Sequence, residues 1–210
     1  MKHSDKFSAL APEKQQRIID ASIKEFVRSG FSLASTNTII KNAGISKGAL
    51  FYYFGSKEQL YMHLISESEK RLFAKMVPVF ENMSPDLIVR LREIANVYFD
   101  LCIEESDTFS FLMTLTNPEN RKLAVKSQQQ SENKNQKKLQ QMFSGIDVST
   151  LRIDMNGVLT IITWIMTGLK ESLFLREDNN TDTANFKKDF MQEFELLLDV
   201  LKNGIYQKEK

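Results

Sequence analysis

Along almost the whole chain, apolar residues recur at steps of three and four, and no segment alternates as a strand would, so the elements expected are helices. Pro12, a favoured first-turn residue, opens a helix whose inward stripe is Ile19, Ile23, Phe26 and Val27 and which ends at Gly30. Ser35 can cap a short helix carrying Ile39, Ile40 and Ala43 on its inner face. Gly44 then supplies a left-handed residue at no steric cost. Ile45 plugs the bend, and Ser46 caps a second short helix, Lys47 to Phe54. Ser56 with Gln59 forms a capping box at the head of a long helix running from Lys57 towards Val77, where Pro78 should kink or stop it. Ser84-Pro85 opens another helix, with Leu87, Leu91, Ile94, Ala95 and Tyr98 on one side, and Asn117-Pro118 is a similar start signal. From Lys126 to Lys138 the residues are almost all polar, as in a solvated helix or a mobile loop. Two strongly apolar helices close the chain, Ser149 to Arg176 and Thr183 to Tyr206. The sum is an all-α protein of about nine helices without an internal repeat.

The two short helices between Ser35 and Lys57 make a helix-turn-helix. On the second, Leu50, Phe51 and Phe54 are expected in the core. Gly48 and Ala49 let the backbone approach a surface closely. Tyr52 and Tyr53 cannot both be buried comfortably with unpaired hydroxyls, so they are expected to face outward.

Charge sharpens this picture. Residues 1–60 carry nine Lys/Arg and five Asp/Glu, whereas residues 61–210 carry nineteen and twenty-two. A basic head on a slightly acidic body suits a chain that meets phosphates at one end. The 42% hydrophobic and 26% charged composition of the 210 residues is that of a globular protein with a sizeable core. Cys102 is the single cysteine, which rules out an intramolecular disulfide; with no signal-like N-terminus, a reducing cytoplasm is expected. The longest apolar run, Val158 to Leu169, falls short of the ~20 residues a membrane span needs. The two histidines, His3 and His63, belong to no catalytic or metal-ligating constellation, so no enzyme, cofactor or metal is expected.

The run AGISKGALFYYFGSKEQL, Ala43 to Leu60, with its lead-in RIIDASIKEFVRSGF, Arg17 to Phe31, closely resembles the DNA-binding motif of the TetR/AcrR family of transcriptional regulators. That resemblance covers about the first 60 residues. It implies an N-terminal three-helix DNA-binding domain over residues 1–56 and a C-terminal helical ligand-binding and dimerisation domain over residues 57–210. It implies a homodimeric repressor, located in the cytoplasm and free of membrane, that binds double-stranded operator DNA and is released by a small apolar or aromatic effector. Lys47, Gly48, Ala49, Tyr52 and Tyr53 would enter the major groove, Lys57 would contact phosphate, and Ser35, Thr36 and Asn37 would meet the groove's other side. Two residues depart from the family pattern: Phe51 replaces a usual tyrosine and Ile40 a usual alanine. Lys2, His3 and Lys6 form a loose basic arm with two readings, a brush against the minor groove or backbone and, the stronger of the two, a disordered terminus.

Such an architecture also encloses a cavity, and Phe80, Phe99, Phe109, Phe111, Met113, Phe143 and Trp164 are candidate contacts for the effector. The last two helices carry more apolar face than one intramolecular contact needs. Ile161, Ile165, Phe190, Phe194, Leu197 and Leu201 are therefore expected to form a dimer seam. An alternative keeps the fold but places control in a protein partner docking on Lys126 to Lys138.

Overall fold

The helix starts and stops written into the first third of the chain are realised in detail. The computed structural model describes residues 3–80, 82–120, 122–127, 129, 143–177 and 183–205, and every regular element among them is helical. In order these are α1 (His3–Ser8), α2 (Pro12–Leu33), α3 (Thr36–Ala43), α4 (Lys47–Phe54), α5 (Lys57–Phe80), α6 (Leu87–Glu104) and α7 (Ser106–Met113). Two 3₁₀ turns, Thr114–Thr116 and Pro118–Asn120, lead to the helical residues 122–127, here α8; α9 (Met155–Glu177) and α10 (Thr183–Ile205) complete the set. No helix among the described residues is long and apolar enough to cross a membrane.

Each boundary has a local cause. Gly30 takes φ 66°, which breaks α2 where the sequence expected its end, although one further turn follows. The Ser35 hydroxyl accepts from Thr38 N at 3.4 Å and the Ser46 hydroxyl from Ala49 N at 3.1 Å, while Gly44 closes α3 in the left-handed region at φ 64°, ψ 41°. Pro78 does not stop α5, which runs two residues further although the proline lacks the N–H that would bond the carbonyl four residues earlier. The polar segment Lys126 to Lys138 lies mostly outside the described residues, so its reading as helix or loop falls there too; Lys126 itself pairs with Glu58.

The chain forms two compact units, one built from Met1–Phe73 with Glu105–Glu132, the other from Ala74–Glu104 with Asn133–Lys210. The boundary expected between residues 56 and 57 therefore falls inside the first unit. The cause is an aromatic core shared by distant segments. Phe26 of α2, Tyr61 of α5 and Phe111 of α7 are all fully buried, with Phe26–Tyr61 at 4.9 Å and Tyr61–Phe111 at 5.1 Å, both edge to face. The Thr114 hydroxyl gives its proton to the Phe111 carbonyl at 2.6 Å, so it accepts the proton of the Tyr61 hydroxyl, also at 2.6 Å. Burial pushes the Tyr61 phenol up, against the opposing effect of that bond. On α2 the buried residues are Ile18, Ala21, Ser22, Ile23, Glu25 and Phe26, whereas Val27 is exposed and Ile19 half-buried. The inner stripe is thus rotated from the expected one, and it contains Glu25.

In the second unit, α6 buries Leu87, Leu91, Ile94, Ala95 and Tyr98, as its sequence pattern predicts. α10 lies along it through Phe190 against Phe99 at 5.7 Å, a two-pronged Arg92–Glu195 ion pair and a Lys187–Asp100 pair. Arg90, itself buried, ties three loop carbonyls together, donating to Met83 O at 3.0 Å, Ser84 O at 2.7 Å and Ser144 O at 2.6 Å.

Candidate nucleic-acid interface

The sequence presents the second motif helix to solvent by a simple division of faces. Leu50 and Phe54 of α4 are buried in the core of the first unit, and Lys47, Gly48 and Tyr52 are exposed. A methyl group added at Gly48 would meet nothing within 4 Å, so nothing in this chain requires glycine there. Asn37 is exposed near the start of α3, and Ser35, Thr36 and Ala49 are half-exposed.

Tyr52 and Tyr53 separate. Tyr52 is 55% exposed, but Tyr53 is only 9% exposed, so the expectation that both rings face outward is corrected. Adjacent helical residues point about 100° apart, and Tyr53 follows Leu50 and Phe54 inward, where its ring meets Phe7 at 6.2 Å and Phe54 at 6.4 Å. Phe51 is displaced the other way, to the surface, instead of joining the core.

Lys57 is held in an arrangement that sequence alone did not foresee. Its ammonium donates to Ser32 O and to Ala34 O, each at 3.1 Å, and lies 5.0 Å from the centre of the Phe31 ring. The backbone N–H of Ser35 donates to Glu25 Oε1 at 2.9 Å. Glu25 is 3% exposed and also takes a 2.6 Å bond from Arg28. Burial alone would raise its carboxyl, but the bonds from Ser35 and Arg28 outweigh it and hold the group below its ordinary value. Residues 32–35, the link from the last turn of α2 into α3, are therefore held by both a buried anion and a cation. The signal for Glu25 was available: it is a charged residue set inside an apolar helical stripe.

Lys6 does not belong to a free arm, and Lys2 lies outside the described residues. α1 docks on α4 by Phe7, which is 2% exposed and sits 4.8 Å from the Phe54 ring and 5.0 Å from the His63 ring. His63 Nε2 is buried there without a hydrogen-bond partner. Desolvation holds this imidazole below its ordinary value; Lys70 acts in the same direction and Glu67 against it.

The candidate effector contacts divide between the two units. Phe109, Phe111 and Met113 belong to the first unit and Phe99 and Phe143 to the second, all five buried. Phe111 fills the aromatic core with Phe26 and Tyr61, and the Phe80 side chain lies outside the described residues. Trp164 is 72% exposed on the outside of α9, which corrects its placement in an interior cavity. It lines an open groove of about 390 Å³ with Ile165, Gly168, Phe190, Phe194 and Leu197.

The expected dimer seam mixes two faces. Phe190 and Phe194 are buried within the second unit, Ile161, Ile165 and Leu201 are half-buried, and Leu197 alone of the six is exposed. The strongest apolar stripe of α10 serves its own core. A weaker one beside it, Leu196, Leu197 and Val200, remains in solvent, with Val200 70% exposed. On α9 the hydroxyls of Thr160, Thr163 and Thr167 donate to the carbonyls four residues earlier at 2.9, 2.7 and 2.8 Å. They flank Trp164 with their hydrogen bonds already made.

Comparison with known proteins follows the same division. Residues 18–64, from within α2 to within α5, match the family described as bacterial regulatory proteins, tetR family. Over 73 residues the chain is 33% identical to the HTH-type transcriptional regulator SrpR of Pseudomonas putida; that match spans 35% of this chain and 34% of the length of SrpR. A longer, more distant likeness runs over 208 residues, at 28% identity, to the fatty acid metabolism regulator protein of Bacillus subtilis (strain 168), covering 93% of this chain and 97% of that protein. The fold is similar to that of the fatty acid degradation regulator FadR from Bacillus halodurans, with a TM-score of 0.66 and 20% identity over 87% of this chain and 94% of that one.

Proposed function

Because the chain belongs to the TetR family of bacterial regulatory proteins, we propose that it acts as a homodimeric repressor that binds operator DNA through α3 and α4. The observation that carries this reading is the exposed face of α4. Lys47, Gly48 and Tyr52 stand clear of the core on a helix short enough to enter a major groove, beside the exposed Asn37 of α3. Lys57 keeps one ammonium proton for a phosphate after its two bonds to the 32–35 link.

Two copies join, on this proposal, through Trp164 of α9 and Leu196, Leu197 and Val200 of α10. Each exposes a large apolar group that a monomer would leave in water. The likeness to a fatty acid metabolism regulator over nearly the whole chain favours an effector with a long acyl chain. To release DNA 100-fold, such an effector needs ~2.7 kcal/mol of preference for the non-binding conformation.

Selection of duplexes from a random pool, followed by binding measurements with and without fatty acids, tests the reading. A selected sequence that outcompetes random duplex is the expected result; no preference at moderate salt would sink it. Val200→Glu tests the seam separately, since the site is open enough to accept the carboxylate without unfolding. The variant should run at half the mass of the parent, and an unchanged mass would place the dimer elsewhere.

A further inference from the structure

From the way α1 is fixed to α4, we infer that this N-terminal helix is part of the DNA-reading surface and that Lys6 is a phosphate contact paired with Tyr52. The inference rests on the DNA-binding reading above. α1 lies wholly before the stretch shared with the family, residues 18–64. It is nevertheless secured at both ends of its connection to α2. Gln15 Nε2 donates to Ser8 O at 3.2 Å and to Leu10 O at 2.8 Å, and Leu10 N donates to Phe7 O at 3.0 Å. Phe7 is sunk against Tyr53, Phe54 and His63, so α1 cannot slide without opening the core beneath α4.

That anchorage fixes the residue before it. Lys6 Nζ stands 4.0 Å from the centre of the Tyr52 ring, within the range of a cation–π contact. Tyr52 is the exposed aromatic of α4, so the contact sets an ammonium beside the side chain best placed to reach a base or its sugar. On this inference a duplex that meets Tyr52 passes its backbone beside that positive charge. Its partial contact with a ring face leaves its protons free for phosphate oxygens, which an ion pair would not. The same contact restrains the Tyr52 ring, so the two side chains act together: one positions, the other specifies.

The test uses the full-length protein and a duplex selected by it from a random pool, with affinity measured across a salt series. Lys6→Gln should weaken binding roughly three- to ten-fold and lower the slope of log affinity against log salt by about 0.9, the value of one phosphate contact. Lys6→Arg should keep the parental slope, because a guanidinium both stacks on an aromatic ring and binds phosphate. The double variant Lys6→Gln with Tyr52→Leu should lose less than the product of the two single effects. Lys202→Gln, on the surface of the other unit, should leave the slope unchanged. If the parent selects a duplex but Lys6→Gln shows the parental slope, the role of α1 is overturned while the DNA-binding reading stands. If the parent selects no duplex, both fall.

Discussion

Replacing Glu25 tests the grip on the 32–35 link most directly. Glu25→Ala removes the acceptor of the Ser35 N–H and the partner of Arg28. The first loss leaves a part-buried backbone donor without its charged acceptor, worth ~1.5–3 kcal/mol. The second is small, ~0–1 kcal/mol, because the Arg28 side chain is largely in water. A total of ~1.5–4 kcal/mol is therefore expected from urea unfolding at neutral pH. Glu25→Gln retains an oxygen that can accept from Ser35, so it should lose about half as much. The pH dependence is a second readout. A carboxyl held below its ordinary value of 4.5 in the folded protein stabilises fully above that value. Its contribution disappears as pH falls from there through the lower folded value. Glu25→Gln should therefore lose part of the acid sensitivity that the parent shows as pH falls below 4.5. An alanine variant as stable as the parent, or a glutamine variant with the parental acid profile, would refute the assignment of Glu25 as the anchor of α3.

Three further outcomes are expected. Lys57→Met should cost ~1–3 kcal/mol of folding stability with no DNA present, because two charge-assisted bonds to Ser32 O and Ala34 O are lost; a purely phosphate-binding lysine would leave urea unfolding untouched. Gly48→Ala should stabilise α4 by up to ~1 kcal/mol, since the added methyl meets nothing, yet weaken operator binding where the backbone closes on DNA; unchanged affinity in competition assays would show that no such approach occurs. Stability should decline as pH falls below 6.5, by at most ~1.4 kcal/mol per pH unit, because the unfolded chain protonates His63 before the folded one does. His63→Phe should flatten that segment of the profile, and an unaltered slope would place the proton elsewhere.

Where the sequence carried explicit local chemistry, structure followed it. Ser35, Gly44 and Ser46 delimit α3 and α4 as their side chains and backbone freedom dictate, and Gly30 breaks α2. Periodicity also placed the buried face of α6 correctly. It does not rank two apolar faces of one helix. On α10 the regular stripe through Phe190 and Phe194 is the more conspicuous, but a helix buries its best stripe in its own unit. The sparser set of Leu196, Leu197 and Val200 stays exposed, and no ranking by hydrophobicity would select it first. Tyr53 was misplaced for a related reason. Its polar tip suggested water, but Phe7, forty-six residues earlier, covers the ring. Long-range partners of this kind leave no trace in spacing. The same holds for Lys57, whose two carbonyl acceptors lie more than twenty residues before it and offer no side-chain signature.

The wedge of Phe111 and the Tyr61–Thr114–Phe111 relay bear on how such regulators can be recombined. A builder of chimeras who cut after the capping box at Ser56, or even after Phe73, would sever the head from the stopper that fills it. To transplant this head onto another body, residues Glu105–Glu132 must travel with it, even though they sit far downstream in the gene.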